Sequence, residues 1–144
     1  MTTTKILKKS IAFILAIIFT TMLTTIAVAA ETRASTLIFS HSCVASAEAD
    51  GEIKVTFSIT GKKIMSRIGA QSMYFYVKDG NTWKLEKSYG QYAAGMSTTN
   101  KATYDNTITY RGTKGAQYKI VVTLFVENSE GATDSRTYTK YVNT

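Results

Sequence analysis

The nine residues from Glu52 to Thr60 (EIKVTFSIT) alternate between two characters. Ile53, Val55, Phe57 and Ile59 take one side, and Lys54, Thr56 and Ser58 take the other. Successive side chains of a strand point to opposite faces, so this period of two demands a strand half buried in a sheet. A helix would scatter the same apolar residues around its axis. Partner strands must come from the rest of the chain, because an isolated strand leaves its backbone amides and carbonyls unpaired.

The sequence supplies candidates at regular intervals. Thr36 to Ala45 (TLIFSHSCVA) reads as a first strand. Glu48 to Gly51 reads as a turn, with Gly51 supplying the positive φ that other residues resist. Gly61 to Ala70 (GKKIMSRIGA) breaks the alternation. It predicts a loop or short helical turn whose Ile64, Met65 and Ile68 cap one end of the core. Ser72 to Val77 (SMYFYV) carries apolar or aromatic residues on both faces and reads as a central strand. Asp79-Gly80-Asn81 is a hairpin turn signal. Thr82 to Tyr89 (TWKLEKSY) returns, with Trp83 and Leu85 expected inward. Gly90 to Thr103 is rich in Gly, Ser and Thr and reads as a long mobile loop. Tyr104 to Arg111 is another strand, Gly112 to Gly115 a turn, and Ala116 to Glu127 (AQYKIVVTLFVE) the strongest strand of all. Asn128 to Gly131 turns the chain into a last strand, Ala132 to Val142.

Seven strands with antiparallel turns and no amphipathic helix predict an all-β domain over residues 36–144. The nine Tyr and the many Thr favour extended backbone. An immunoglobulin- or fibronectin-like antiparallel sandwich of two sheets fits best, with a small five-stranded β-barrel as the alternative. Tyr118 sharpens the first reading. It starts the long penultimate strand three residues after Gly115. There its ring can tuck inward and its hydroxyl can bond to the preceding turn, as in the tyrosine corner of such sandwiches. Ile120, Val122, Leu124 and Val126 would share its inward face.

Residues 1–30 read as a secretory signal peptide. Lys5, Lys8 and Lys9 precede an apolar run from Ile11 to Val28, and Ala27-Val28-Ala29-Ala30 supplies small residues for a peptidase. Cleavage after Ala29 or Ala30 fits, with Ala30 favoured. The alternative is an uncleaved membrane anchor, for which the run is just long enough. Thr20, Thr21, Thr24 and Thr25 weaken it. The expected localisation is therefore extracellular, with the membrane met only in transit. Residues 31–35 form a loose start. Removing the three leader Lys from 17 basic residues leaves 14 against 10 acids, a net +4. That mild charge suits weak attraction to anionic walls and does not call for nucleic acid.

One His and one Cys exclude zinc sites of the Cys₄ or Cys₂His₂ kind and any disulfide framework within the chain. No cofactor or metal is expected.

The order of several short pieces resembles a family of small proteins secreted by Gram-positive bacteria, each with a signal peptide and one β-rich domain. The pieces are Ile68-Gly69, Trp83-Lys84, Ile108 to Gly112 (ITYRG), Gly115-x-x-Tyr118 and Asp134 to Tyr138 (DSRTY), spread over residues 51–140. No activity is assigned to that family. The resemblance implies secretion and a β-rich fold and adds no site residue.

Few residues invite chemistry. His41 and Cys43 share a strand face, but no third group or oxyanion site flanks them. They read as an edge His and a small buried Cys, an intermolecular disulfide being the other option. Glu48, Asp50 and Glu52 cluster on a turn and make no cleft for a carboxylate pair. With Asp79 and Asn81 they lack calcium-loop spacing. Lys62, Lys63 and Arg67 form a small basic group before Gly69. Asp134 and Arg136, two apart on one face, are expected to pair. The aromatics are the richer set: Trp83, Tyr89, Tyr92, Tyr104, Tyr110, Tyr138 and Tyr141. Aromatic rings enrich interfaces and stack on sugar rings. Tyr89 and Tyr92 bracket Gly90 and, with Tyr104, are the candidate ligand-binding residues.

The function expected is a secreted, non-enzymatic binding module with an extracellular glycan, cell-wall polymer or protein as partner. A self-associating matrix protein, using the strand Ala132 to Val142 as a sticky edge, is the first alternative. A small secreted enzyme or toxin is the second.

Overall fold

The computed structural model describes residues 36–144. The expected signal peptide (residues 1–30) and loose start (residues 31–35) lie outside the described residues. Six strands form among the described residues: β1 (Ile38–Ala47), β2 (Glu52–Asp79), β3 (Thr82–Gly90), β4 (Ser97–Arg111), β5 (Gln117–Glu127) and β6 (Thr133–Asn143). Every strand pairing is antiparallel. The result is an all-β sandwich in which one curled sheet supplies both layers.

The strand β2 makes the curl. Its first part, Ile53 to Thr60, lies between β1 and β4. Its last part, Ser72 to Val77, lies between β3 and β5, with β6 beyond β5. Between them, Arg67 to Gly69 bond to both β4 and β5. The strands predicted at Glu52 to Thr60 and Ser72 to Val77 are therefore two halves of one 28-residue strand, which is why six form and not seven.

The segment Gly61 to Ala70 is strand, not a loop or a helical turn. Met65 and Ile68 are buried as expected, whereas Ile64 is 71% exposed. The alternation fails there because the pairing with β4 shifts register between Thr60 and Met65, and the pairing with β5 shifts again between Ala70 and Ser72. Each shift resets which face a side chain takes. Gly69 adds a corner. Its φ is +148°, and a Cβ there would stand 2.6 Å from the Ser97 Cα. Only glycine tolerates both the dihedral and the close backbone.

The expected loop Gly90 to Thr103 is mostly strand as well. β4 begins at Ser97, and the intervening turn is pinned where the Ala70 N–H donates to the Met96 carbonyl at 2.6 Å. Met96 is fully buried. Its Ser and Thr residues line a strand that has little apolar patterning, so composition suggested a loop where backbone pairing makes a ladder.

The core joins both layers. Ile53, Val55, Phe57 and Ile59 come from the first half of β2; Met73 and Phe75 come from its second; Ile120, Val122, Leu124 and Val126 come from β5. Phe75 meets the ring of Tyr110 on β4 at 4.7 Å, a contact that crosses between layers. Tyr118 is fully buried, and its hydroxyl accepts the Thr113 N–H at 2.8 Å. The tyrosine corner expected from its position forms.

Both seams between the layers are closed by tyrosine hydroxyls. At one, Tyr138 on β6 bonds to Nδ1 of His41 on β1, and the Leu37 N–H donates to Asp134. At the other, Tyr110 on β4 donates to Glu86 on β3 at 2.5 Å, and Tyr118 donates to the same carboxylate at 3.0 Å. Glu86, exposed on the edge strand β3, thus reaches across to β4 and β5 with its carboxylate.

Candidate functional site

Trp83 and Leu85 were expected to face the core and face out instead. The register pairs Trp83 with Lys78 and Leu85 with Tyr76, and these even-numbered residues of β2 are the outward ones. Leu85 is 49% exposed. A hairpin of two central residues, Gly80 and Asn81, sets that register; the hairpin itself is as predicted.

The outward positions of β3, β2, β5 and β6 line up across the sheet. Leu85 stands opposite Tyr76, Tyr76 opposite Lys119, and Lys119 opposite Tyr141. Tyr74 lies two residues along β2 on the same face, its ring 6.3 Å from that of Tyr76. Trp83 reaches over the sheet to meet Tyr141, ring centroids 5.7 Å apart. The Lys119 ammonium lies between, 4.6 Å from the Tyr76 ring centre and 5.4 Å from that of Trp83. The Lys78 ammonium stands 5.9 Å from the centre of the same Trp83 ring. Such cation–ring contacts are attractive, roughly 0.5–1 kcal/mol each at exposed sites. They join the Tyr76 and Trp83 rings to two ammonium groups, and ring contacts add Tyr74 and Tyr141 to the same open face. Tyr141 is 60% exposed, and the other rings are half buried.

A shallow groove of ≈ 480 Å³ continues this face. Gln71, Ser72, Tyr74, Ser88, Tyr89 and Gly90 line it. Tyr74 belongs to both the groove and the aromatic row. The face therefore offers apolar rings, two cations and, at one end, an amide and two hydroxyls able to donate and accept.

The three candidate tyrosines do not come together. Tyr89 lines the groove, with its ring edge-on to Phe75 at 6.1 Å. Tyr92 is 79% exposed and lies under the Arg67 guanidinium, 4.9 Å away. Tyr104 packs against Phe57 and donates to the Gly95 carbonyl at 3.1 Å, so it closes a turn. Sequence reasoning passed over Tyr74, Tyr76 and Lys119. Their signal was present: in Ser72 to Val77 the aromatics at 74 and 76 share the parity opposite to Met73 and Phe75. The expectation of a strand covered on both sides hid it.

The remaining candidates separate. Arg67 leaves the lysines: it stacks on Tyr92 and donates to Ser97 at 3.2 Å. Lys62 and Lys63 instead line a ≈ 340 Å³ cleft with Asn128, Ser129 and Glu130. Asp50 meets Lys114 at 3.3 Å, Glu52 meets Lys54 at 3.7 Å, and Glu48 takes the Ser46 hydroxyl at 3.3 Å, so the three acids do not converge. Asp134 and Arg136 do pair, at 3.2 Å. Among the described residues, no group of three or more His, Cys, Asp or Glu could hold a metal ion. Cys43 is free and only 4% exposed. Burial pushes its thiol up, against a smaller opposing effect from Lys140. A raised, buried thiol is a poor nucleophile.

No protein-family model matches this chain, and no curated protein is similar to it in sequence. Among solved structures, the crystal structure of Spo0M, a sporulation control protein from Bacillus subtilis, is similar in part. The identity is 12% and the TM-score 0.43, over 72% of this chain and 49% of that one. This chain spans about half the length of that protein.

Proposed function

We propose that the protein is a secreted, non-enzymatic binding module that works at or outside the cell surface and holds a glycan on its outer β3–β2–β5–β6 face. One observation carries the reading: Trp83, Tyr76, Tyr74 and Tyr141 turn away from the core onto one open sheet face. Turning large rings outward costs a chain part of the stabilisation their burial would give. Rings on a rigid sheet are pre-organised for stacking on the apolar face of a sugar, and the groove beside Tyr74 supplies groups for sugar hydroxyls. The Lys and small-residue pattern of residues 1–30 supports export, and the family resemblance supports a Gram-positive setting. The corner at Tyr118 supports an immunoglobulin-like arrangement of the layers.

Self-association through β6 gains no support, because Tyr138 already engages His41 on β1 and Asp134 the Leu37 amide just before it. Two measurements test the proposal. Host-culture fractionation with N-terminal sequencing should find a chain beginning near Glu31 in the medium. A chain retaining Met1 in the membrane fraction would make it a tethered surface domain. A glycan array should return a sugar ligand for the wild-type protein that Trp83→Ala loses while its melting temperature holds. Array binding that Trp83→Ala leaves intact would remove the face from the account.

A further inference from the structure

Resting on that glycan-binding reading, we infer that the face takes a polysaccharide built of uronic-acid residues, sugars whose own ring carries a carboxylate. The arrangement of charge carries this. Lys119 lies between the Tyr76 and Trp83 rings, and Lys78 lies beside Trp83. Each cation is thus within a ring's breadth of a stacking surface. A sugar stacked on either ring and carrying a carboxylate on its own ring brings that carboxylate within reach of an ammonium group.

The face also lacks the opposing charge. The outward positions from Ser72 to Lys78, Trp83 to Ser88, Gln117 to Thr123 and Thr137 to Asn143 hold two lysines and no acid. The acids nearest in sequence are turned elsewhere. The Glu86 carboxylate is engaged by the Tyr110 and Tyr118 hydroxyls, Asp79 sits at the hairpin, and Asp134 pairs with Arg136. Among the described residues, no carboxylate forms a salt bridge with Lys78 or Lys119, so both cations keep hydrogen-bond donors to offer. A carboxylate meeting them would be complementary in charge and would displace only water.

The alternative polyanion is a phosphate-linked polyol chain. It would satisfy the lysines but leave four rings unused, since it presents no flat sugar face. The groove argues the same way. Gln71, Ser72 and Ser88 suit the hydroxyls of a neighbouring sugar better than a second anion, because none of them carries charge.

The test titrates the purified protein with four probes and follows binding by calorimetry and by the emission of Trp83. The probes are an oligogalacturonate, the same oligomer as its methyl ester, a neutral maltooligosaccharide and a polyglycerol phosphate. The acid form should bind, with the ester roughly tenfold weaker, as the loss of two exposed ion pairs implies. Raising salt should weaken the acid form and leave the ester unchanged. Lys119→Gln, or Lys78→Gln if the first variant loses its fold, should weaken the acid form by roughly threefold to fivefold and spare the ester. Equal binding of acid and ester overturns the uronate inference while the glycan-binding face stands. Preference for polyglycerol phosphate overturns it in favour of a sugar-free polymer. Binding of none of the four, with glycan-array binding retained, removes uronates alone; binding of no sugar in either experiment sinks both readings.

Discussion

The Tyr118 ring fills the space that a side chain at residue 112 would need: a Cβ on Gly112 would stand 2.5 Å from the Tyr118 Cζ. The corner therefore needs both residues. Tyr118 brings a buried hydroxyl that accepts from the Thr113 N–H and donates to Glu86. Gly112 brings the gap. Gly112→Ala should destabilise the domain by about 2 kcal/mol, the usual scale for overpacking a tight site. Tyr118→Phe should cost about 1–2 kcal/mol through the unpaired Thr113 amide and the lost hydrogen bond to Glu86. Thermal unfolding of the two variants checks this; a melting temperature unchanged in both would mean the corner is ornamental.

Alkaline stability should depend on Tyr110. Burial, the hydrogen bond to Glu86 and the Glu86 charge all push its phenol above the ordinary value near 10. A raised folded value means that the native state holds the proton more tightly than the unfolded chain. Stability from this group is complete below about pH 10 and is lost as pH rises beyond it. Tyr118 and Tyr138 are raised mainly by burial and add to the same loss. Denaturant midpoints measured from pH 8 to 11 should fall in the wild type, and fall less steeply in Tyr110→Phe. Parallel slopes would show that Tyr110 does not drive the transition.

Trp83 is the single tryptophan of the chain, so its emission reports on the proposed face without labelling. It is half exposed, with Lys78 and Lys119 beside it. Sugar binding should shift its emission to shorter wavelength as water leaves the indole. Acrylamide quenching should drop in parallel. A bound ligand that changes neither sits somewhere else.

Cys43 should resist thiol reagents in the folded protein. It is buried on β1, and burial raises its thiol. Reaction with a disulfide reagent at pH 8 should be slower by orders of magnitude than in urea, where the thiol is released. It should also leave no covalent dimer under oxidising conditions. A rapid reaction, or a dimer lost on reduction, would mean that β1 opens readily at the seam held by His41 and Tyr138.

The strand class was legible from local pattern wherever side-chain parity ran unbroken. Ile53 to Ile59 alternates cleanly and buries the face expected; Tyr118 to Val126 buries its even positions as expected, and Phe125 is buried as well. Asp79-Gly80-Asn81 and Gly51 marked turns because their backbone demands are local. The same logic could not cross Gly61 to Ala70 or Gly90 to Thr103, where bulges and a ladder paired at long range decide the conformation. Tyr118 was readable as a corner because a Tyr near a Gly-rich turn needs only its neighbours. Trp83 faces out for a reason that local pattern does not carry. Which face of an edge strand is inside depends on the register with β2, and that register is set by a partner strand. The candidate site divides the same way. Its residue types, aromatic and lysine, stand in the sequence. Their meeting on one face required four strands to align Leu85, Tyr76, Lys119 and Tyr141, and hydrogen bonds between strands, not neighbours in the chain, made that alignment.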